Sequence, residues 1–315
     1  MAIRNENHYR AISKLLPIRE DVNVKDQFGF LPISIIKPTK ESKDRWREAY
    51  FNDGEIDIRQ VNGGYVKSSG GGPQKMSEFH AGVAENIVRY WSLPGAKVVD
   101  PFAGRVTRAV VTTRIGRDYY GYEITPNTHK RALVHFQKLG ISPILYMDDG
   151  TKLAQTPDNF SDLIYTCPPY YNIEKYESVD GQLSDSKTYE SFMEMIDVCA
   201  ENCYRVAKSG SFCVWVVADF RDKALDGERG NLMDFHGDVT QSFKKAGWLY
   251  HDIIIMENIS PFAALTQYQA ACKRYVPKTH EYILVFRKPG EYIVPDYCTE
   301  NLIETEINSK KFFAF

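Results

Sequence analysis

A chain of 315 residues, 43% apolar and 25% charged, can bury a sizeable core and fits one large domain with a smaller appendage. Its formal net charge of −2 excludes a protein that coats nucleic acid unselectively, because counterion release favours a strongly basic chain; a local basic groove is still allowed. No apolar run reaches bilayer-spanning length and the opening MAIRNENHYR lacks the apolar segment of a secretory signal, so a soluble, cytoplasmic protein with no membrane partner is expected.

Residues 1–75 read as a lead-in. FLPISIIKP is a short strand candidate, and KESKDRWREAYF is a charged helix in which Trp46, Ala49 and Tyr50 recur at helical spacing. The lead-in is too small for a domain of its own and is expected to dock on the body of the chain. VNGGYVKSSGGGPQ is a glycine-rich linker, or a flap that orders over a ligand.

From Met76 to residue 290 helices and strands alternate. EFHAGVAENIVRYWS is a helix and KVVDPF a strand, followed by a helix from about Arg105, RVTRAVVTTRIG, and the strand DYYGYEI. The helix TPNTHKRALVHFQKLG then precedes two strands, PILYMDD and DLIYT. The helix YESFMEMIDVCAENCYRVA leads to the strand SFCVWVV, a helix ending at Gly247, and two last strands, WLYHDIIIM and HEYILVFRK. This alternation predicts an α/β fold with a doubly wound, mainly parallel sheet and the final antiparallel pair at one edge. Residues 291–315 form a tail with no assigned role.

Ligands of such sheets lie beyond the carboxyl ends of the strands. The first strand ends VVDPFAG, where Asp100 closes the strand and Gly104 lets backbone approach a ligand. GRVTRA stands where a dinucleotide site has GxGxxG, and bulky Val106 and Arg108 argue against a bound pyrophosphate. The second strand ends in Glu123, spaced for ribose hydroxyls or for capping the next helix. The third ends in Asp148 and Asp149, which suit an adenine amino group or a turn.

The fourth strand runs into YTCPPYYN. Two prolines fix this corner so that a carbonyl points out of the sheet toward a substrate N–H, and Tyr170 offers a flat face for a base. An amino group held by hydrogen bonds while its ring stacks on tyrosine suits methyl transfer from a sulfonium donor.

DPFAG followed later by CPPY resembles the donor-binding and catalytic motifs of S-adenosylmethionine-dependent DNA methyltransferases that modify exocyclic amino groups. The resemblance spans about residues 25–290 and includes KMSEFHAGVAENIVRYWSLPGAKVVDPFAGR, VVADFRDK, GDVTQSFKKAGW and KTHEYILVFRK. FGFLPISIIKPTKESKDRWREAY is similar to the lead-in of the phage and mobile-element branch, where a cysteine in the CPPY motif is also familiar. The resemblance implies a Rossmann-like class I methyltransferase fold with S-adenosylmethionine as cofactor. It places Ser77 and Phe79 at the methionine end of the donor, Asp100, Pro101, Phe102, Ala103 and Gly104 around its centre, Glu123 on its ribose and Asp149 on its adenine. Cys167, Pro168, Pro169 and Tyr170 would hold a flipped target base.

Cys167 departs from the Asp, Asn or Ser of many relatives, and a thiol is a weak acceptor. It is also compatible with a pyrimidine-attacking nucleophile or a structural cysteine. DNA contact is expected from Arg221, Lys223, Lys273, Arg274, Lys278 and His280. Segments 219–240 and 257–279 are the candidate recognition insertions, the second mixing aromatic and basic residues. The expected reaction is methylation of adenine N6, ahead of cytosine N4. Cytosine carbon 5, RNA, a protein amide and an inactive binding module are the alternatives.

The six cysteines show no paired CxxC spacing, and Cys199 and Cys203, four apart in a helical pattern, read as core residues. No metal is expected. A homodimer is one assembly the sequence leaves open.

Overall fold

Strands that are apolar on both faces belong in the middle of a sheet covered by helices on each side, and two strands here, DLIYT and SFCVWVV, are of that kind. The computed structural model describes residues 33–51, 79–171, 179–223, 229–257, 271–272, 274–276 and 278–291, all in one unit, Ile33–Glu291. Of Asp222, Lys223 and Arg229 only the backbone is described. The glycine-rich stretch 61–74, most of 257–279 and the tail from 292 lie outside the described residues, as do Ser77 and Lys273.

Among the described residues the strands are β1 (Ile35–Ile36), β2 (Lys97–Asp100), β3 (Asp118–Tyr122), β4 (Ile144–Tyr146), β5 (Ser161–Thr166), β6 (Ala207–Val217), β7 (Phe220–Lys223), β8 (Arg229–Met233), β9 (Leu249–Glu257) and β10 (His280–Arg287). Eight form one sheet in the order β1-β9-β10-β6-β5-β2-β3-β4, and β7 and β8 form a separate antiparallel hairpin. β10 runs antiparallel to β6 and β9, while β2, β3, β4, β5 and β6 are mutually parallel. This is the Rossmann-like class I methyltransferase arrangement expected above. β1, from the lead-in, adds two residues beyond β9 by pairing Ile35 with Ile255, so the antiparallel pair is not the outermost element.

The helices are α1 (Lys40–Arg45), α2 (Ala81–Trp91), α3 (Thr107–Arg114), α4 (Pro126–Leu139), α5 (Tyr189–Val206) and α6 (Phe235–Lys245). Successive strand residues point to opposite faces. Val98, Leu163, Tyr165, Val214, Val216 and Ile283 pack with α2 and α3 residues such as Val83, Ile87 and Val110. Val99, Ile164, Trp215, Val217 and Leu284 pack instead with Phe192 and Ile196 of α5 and Val239 and Phe243 of α6. Cys199, Cys203 and Cys213 are fully buried in this second layer, and burial pushes the Cys199 and Cys213 thiols up. No helix among the described residues is long and apolar enough to cross a membrane.

The helix expected over residues 40–51 is shorter than its periodicity suggests. The Thr39 side chain caps α1 by accepting from Ser42 N at 3.2 Å, and the chain then breaks at Trp46 into a short 3-10 turn, Arg47–Ala49. The break has a tertiary cause. The Trp46 indole N–H donates to Glu85 of α2 at 2.7 Å, on the same carboxylate oxygen that accepts from Arg45. Helix propensity gives way to these contacts.

Candidate active site

The chain order turns at β2: β3 and β4 lie on one side of it and β5 and β6 on the other. Open α/β sheets bind ligands outside the carboxyl ends of the strands at such a point. A cavity of about 440 Å³ lies there. Pro101, Phe102 and Gly104 after β2, Glu123 after β3, Asp149 after β4, and Cys167, Pro168, Pro169 and Tyr170 after β5 all line it, together with Phe79. Asp100 and Ala103 stand behind that lining.

Asp100 is fully buried. Its carboxylate accepts from Arg108 Nε at 2.7 Å, the Tyr119 hydroxyl at 2.8 Å, the Thr166 hydroxyl at 2.6 Å and Phe102 N at 3.2 Å. Arg108, from the first turn of α3, also donates to the Phe102 and Ala103 carbonyls. Burial works to lower its pKa, but Asp100 and Tyr119 hold it above the ordinary guanidinium value. The DPFAG loop is therefore shaped by a buried arginine that reaches into it from α3. Asp100 organises the loop from behind and does not face the cavity.

Gly104, at φ 52°, occupies the left-handed region, and a Cβ there would meet only Phe102 O, at 3.8 Å. Next to it, Glu123 accepts from Thr125 N at 2.7 Å and from the Thr125 hydroxyl. Burial raises the Glu123 pKa, against the hydrogen bonds from Thr125 and from the Gly104 backbone. Asp149 Oδ1 accepts from Thr151 N at 2.9 Å and the Thr151 hydroxyl at 2.7 Å, and Oδ2 pairs with Lys152 at 3.0 Å.

The turn after Asp149 presses on the DPFAG loop. A Cβ at Gly150 would lie 1.7 Å from the Pro101 carbonyl oxygen. Gly150→Ala is expected to lower stability by about 2 kcal/mol through this overlap. Chemical denaturation checks it, and an unchanged unfolding free energy would contradict the contact.

At the corner, Thr166 is tied to Asp100, so the candidate residues after it are anchored on the same carboxylate as the DPFAG loop. Tyr170 is half-buried, its ring 6.3 Å from Phe220 and 6.1 Å from Phe235. Phe235, Phe192, Tyr189 and Tyr171 extend this aromatic support into the α5–α6 layer.

Several lining residues escape sequence reasoning. Lys37, just after β1, pairs with Glu257 at the end of β9 at 2.9 Å, so the lead-in forms one wall of the cavity. His80 donates from Nε2 to Thr39 O at 3.2 Å, and burial pushes its pKa down. Glu281 also lines the cavity. A search of strand carboxyl ends misses it because β10 is antiparallel, so the start of β10 opens onto the edge where its neighbours end.

The basic candidates are dispersed. Arg221 in β7 donates to Gly230 O at 3.1 Å and lies over the Tyr275 ring, while Arg274 and Lys278 are exposed. His280 shares a 3.1 Å hydrogen bond with the Tyr282 hydroxyl. The 219–240 segment contains the β7–β8 hairpin and the start of α6, and the hairpin has no counterpart in the sequence pattern. Asp219, Asp234 and His236 converge beside it. His236 Nδ1 lies 2.8 Å from Asp219 and 2.9 Å from Asp234. Asp219 also accepts from His236 N, and Asp234 caps α6 through Gly237 N, so helix capping accounts for the cluster.

A family model described as DNA methylase matches residues 17–134 and 161–313. No curated protein matches the sequence. Among solved structures, similarity is found to a candidate DNA modification methylase from Thermus thermophilus complexed with S-adenosyl-L-methionine, at 26% identity over 45% of this chain and 51% of that one, TM-score 0.34. TrmN from Thermus thermophilus shares 15% identity over 67% and 49%, TM-score 0.44. A SAM-dependent methyltransferase from Methanosarcina mazei shares 10% over 65% and 98%, TM-score 0.46. This chain spans about half the length of the first two proteins.

Proposed function

Because the chain belongs to the N6/N4 DNA methylase family, we propose that it transfers a methyl group to an exocyclic amino group of DNA, adenine N6 ahead of cytosine N4. The observation that carries this reading is the convergence of Phe102 and Gly104 with Cys167, Pro168, Pro169 and Tyr170 on one cavity at the turning point of the sheet.

S-adenosylmethionine is the cofactor, and it supplies an electrophilic methyl group on a sulfonium centre. The residues present fit it. Gly104 lines the cavity with backbone at a left-handed φ of 52°, and the Glu123 and Asp149 carboxylates are positioned by their turns to accept from hydroxyl and amino groups. Phe79 and Ser77 would close the methionine end. The Pro168 carbonyl and the Tyr170 face would orient the target amine, and positioning would supply most of the acceleration. A duplex base reaches this cavity only by leaving its stack, which costs a few kcal/mol. Arg221, Arg274, Lys278 and His280, with Lys223 and Lys273, would hold the phosphates on either side.

Transfer of labelled methyl groups to duplex DNA, RNA and protein offered in parallel tests the reading. Label in DNA supports it, whereas label confined to RNA or protein, or donor binding without any transfer, overturns it. Cys167→Ser is expected to keep activity within about threefold, since a hydroxyl accepts from an amine at least as well as a thiol. Loss of activity, with a covalent DNA adduct trapped on the unsubstituted protein, would instead make Cys167 a nucleophile.

A further inference from the structure

We propose that His236 is a positioning residue for the target base: it ties together the two ends of the β7–β8 hairpin and so holds the aromatic support behind Tyr170. This rests on the reading above, in which the Tyr170 face orients the base, and it gives the capping cluster at the start of α6 a second task.

The hairpin begins at Phe220 and ends at Met233, and an Asp-Phe step marks each end. Asp219 precedes Phe220, and Asp234 precedes Phe235. Both phenylalanines are buried. Their rings lie 5.7 Å apart, and 6.3 Å and 6.1 Å from the ring of Tyr170, which lines the cavity. The aspartates of the same two steps meet at His236. Its Nδ1 sits between Oδ1 of Asp219 and Oδ1 of Asp234, and the three groups come within 4.8 Å of one another. Only a protonated Nδ1 serves both oxygens, so the imidazole donates from that nitrogen. Two carboxylates this close repel each other, and Asp219 is too buried for water to screen the repulsion well. The shared N–H turns the repulsion into a clasp.

The ring is held as well as its nitrogen. It stacks on Tyr282 of β10, with centroids 4.0 Å apart and planes 10° from parallel, and the backbone N–H of His236 donates to Asp219 at 3.2 Å. Within the first turn of α6, Asp238 accepts from the Tyr189 hydroxyl of α5 at 2.7 Å. The clasp therefore joins the end of β6, the start of α6 and β10 to a hairpin that lies outside the main sheet. None of these contacts involves the DPFAG loop, so losing them is felt on the Tyr170 side of the cavity.

The experiment compares unsubstituted protein with His236→Phe, which keeps a ring to stack on Tyr282 but removes Nδ1, and His236→Asn, which returns an N–H near the same place without the ring. Hydrogen exchange in β7 and β8, donor affinity and kcat on duplex DNA are measured on each, alone and combined with Tyr170→Ala. His236→Phe is expected to speed exchange in the hairpin by about tenfold or more, to lower kcat by about 5- to 50-fold and to keep the donor dissociation constant within about threefold. His236→Asn should recover most of both losses. Combined with Tyr170→Ala, His236→Phe should cost little further in kcat, because a residue that acts through the ring then has nothing to position. Unchanged exchange in His236→Phe, a kcat loss that adds in full to that of Tyr170→Ala, or donor binding that falls in step with rate would each overturn the proposal. Failure of the unsubstituted protein to methylate DNA would overturn the functional reading and with it the role at the base, while the exchange comparison alone decides the clasp.

Discussion

Arg108→Met is expected to lower the unfolding free energy by about 3–5 kcal/mol and to abolish donor binding. The methionine fills much of the volume but leaves the Asp100 carboxylate buried with its cationic partner gone. The Phe102 and Ala103 carbonyls lose their donor in the same stroke. A matched change, Asp100→Asn with Arg108→Met, removes the stranded charge and should recover most of the stability, since replacing both members of a buried pair is often close to neutral. It should not recover donor binding, because the loop carbonyls remain unheld. Denaturant unfolding and donor titration on the two variants check this; a single variant that binds donor normally would remove Arg108 from the account of the loop.

Tyr170→Ala should lower kcat by roughly 5- to 150-fold, the range that a stacking contribution of about 1–3 kcal/mol gives. The donor dissociation constant should stay nearly unchanged, because Tyr170 lies on the corner after β5 and the loop proposed to hold the donor comes after β2. Its ring packs beside Phe220 and Phe235, so some stability is lost as well, and the assay must be run well below the melting temperature. Equal losses in kcat and donor affinity would show that the ring only supports the cavity wall. Tyr170→Phe should restore turnover, since the face of the ring and not its hydroxyl is assigned the role.

The parallel core is legible because its strands carry period-two or continuous apolar patterns between helices of ordinary length, and the order of the motifs comes from it. Asp100 is legible as a strand end but not as a buried acid. GRVTRA reads as an awkward substitute for a glycine-rich loop, and nothing in its spacing reveals that Arg108 folds back to satisfy Asp100 and two carbonyls. The break at Trp46 is invisible for a related reason: its cause, Glu85, is 39 residues away. Lys37 and Glu281 are missed because each reaches the cavity only through strand pairing, one at the end of the two-residue β1 and the other at the start of the antiparallel β10. The β7–β8 hairpin is not foreseeable, since neither strand has a clean alternation of its own.

The most direct test of the central claim is incubation of the purified chain with labelled S-adenosylmethionine and unmodified duplex DNA, then digestion to nucleosides and mass spectrometry. Labelled N6-methyladenine is the predicted product. Label in 5-methylcytosine, or donor bound with no labelled nucleoside, would contradict transfer to an exocyclic amino group.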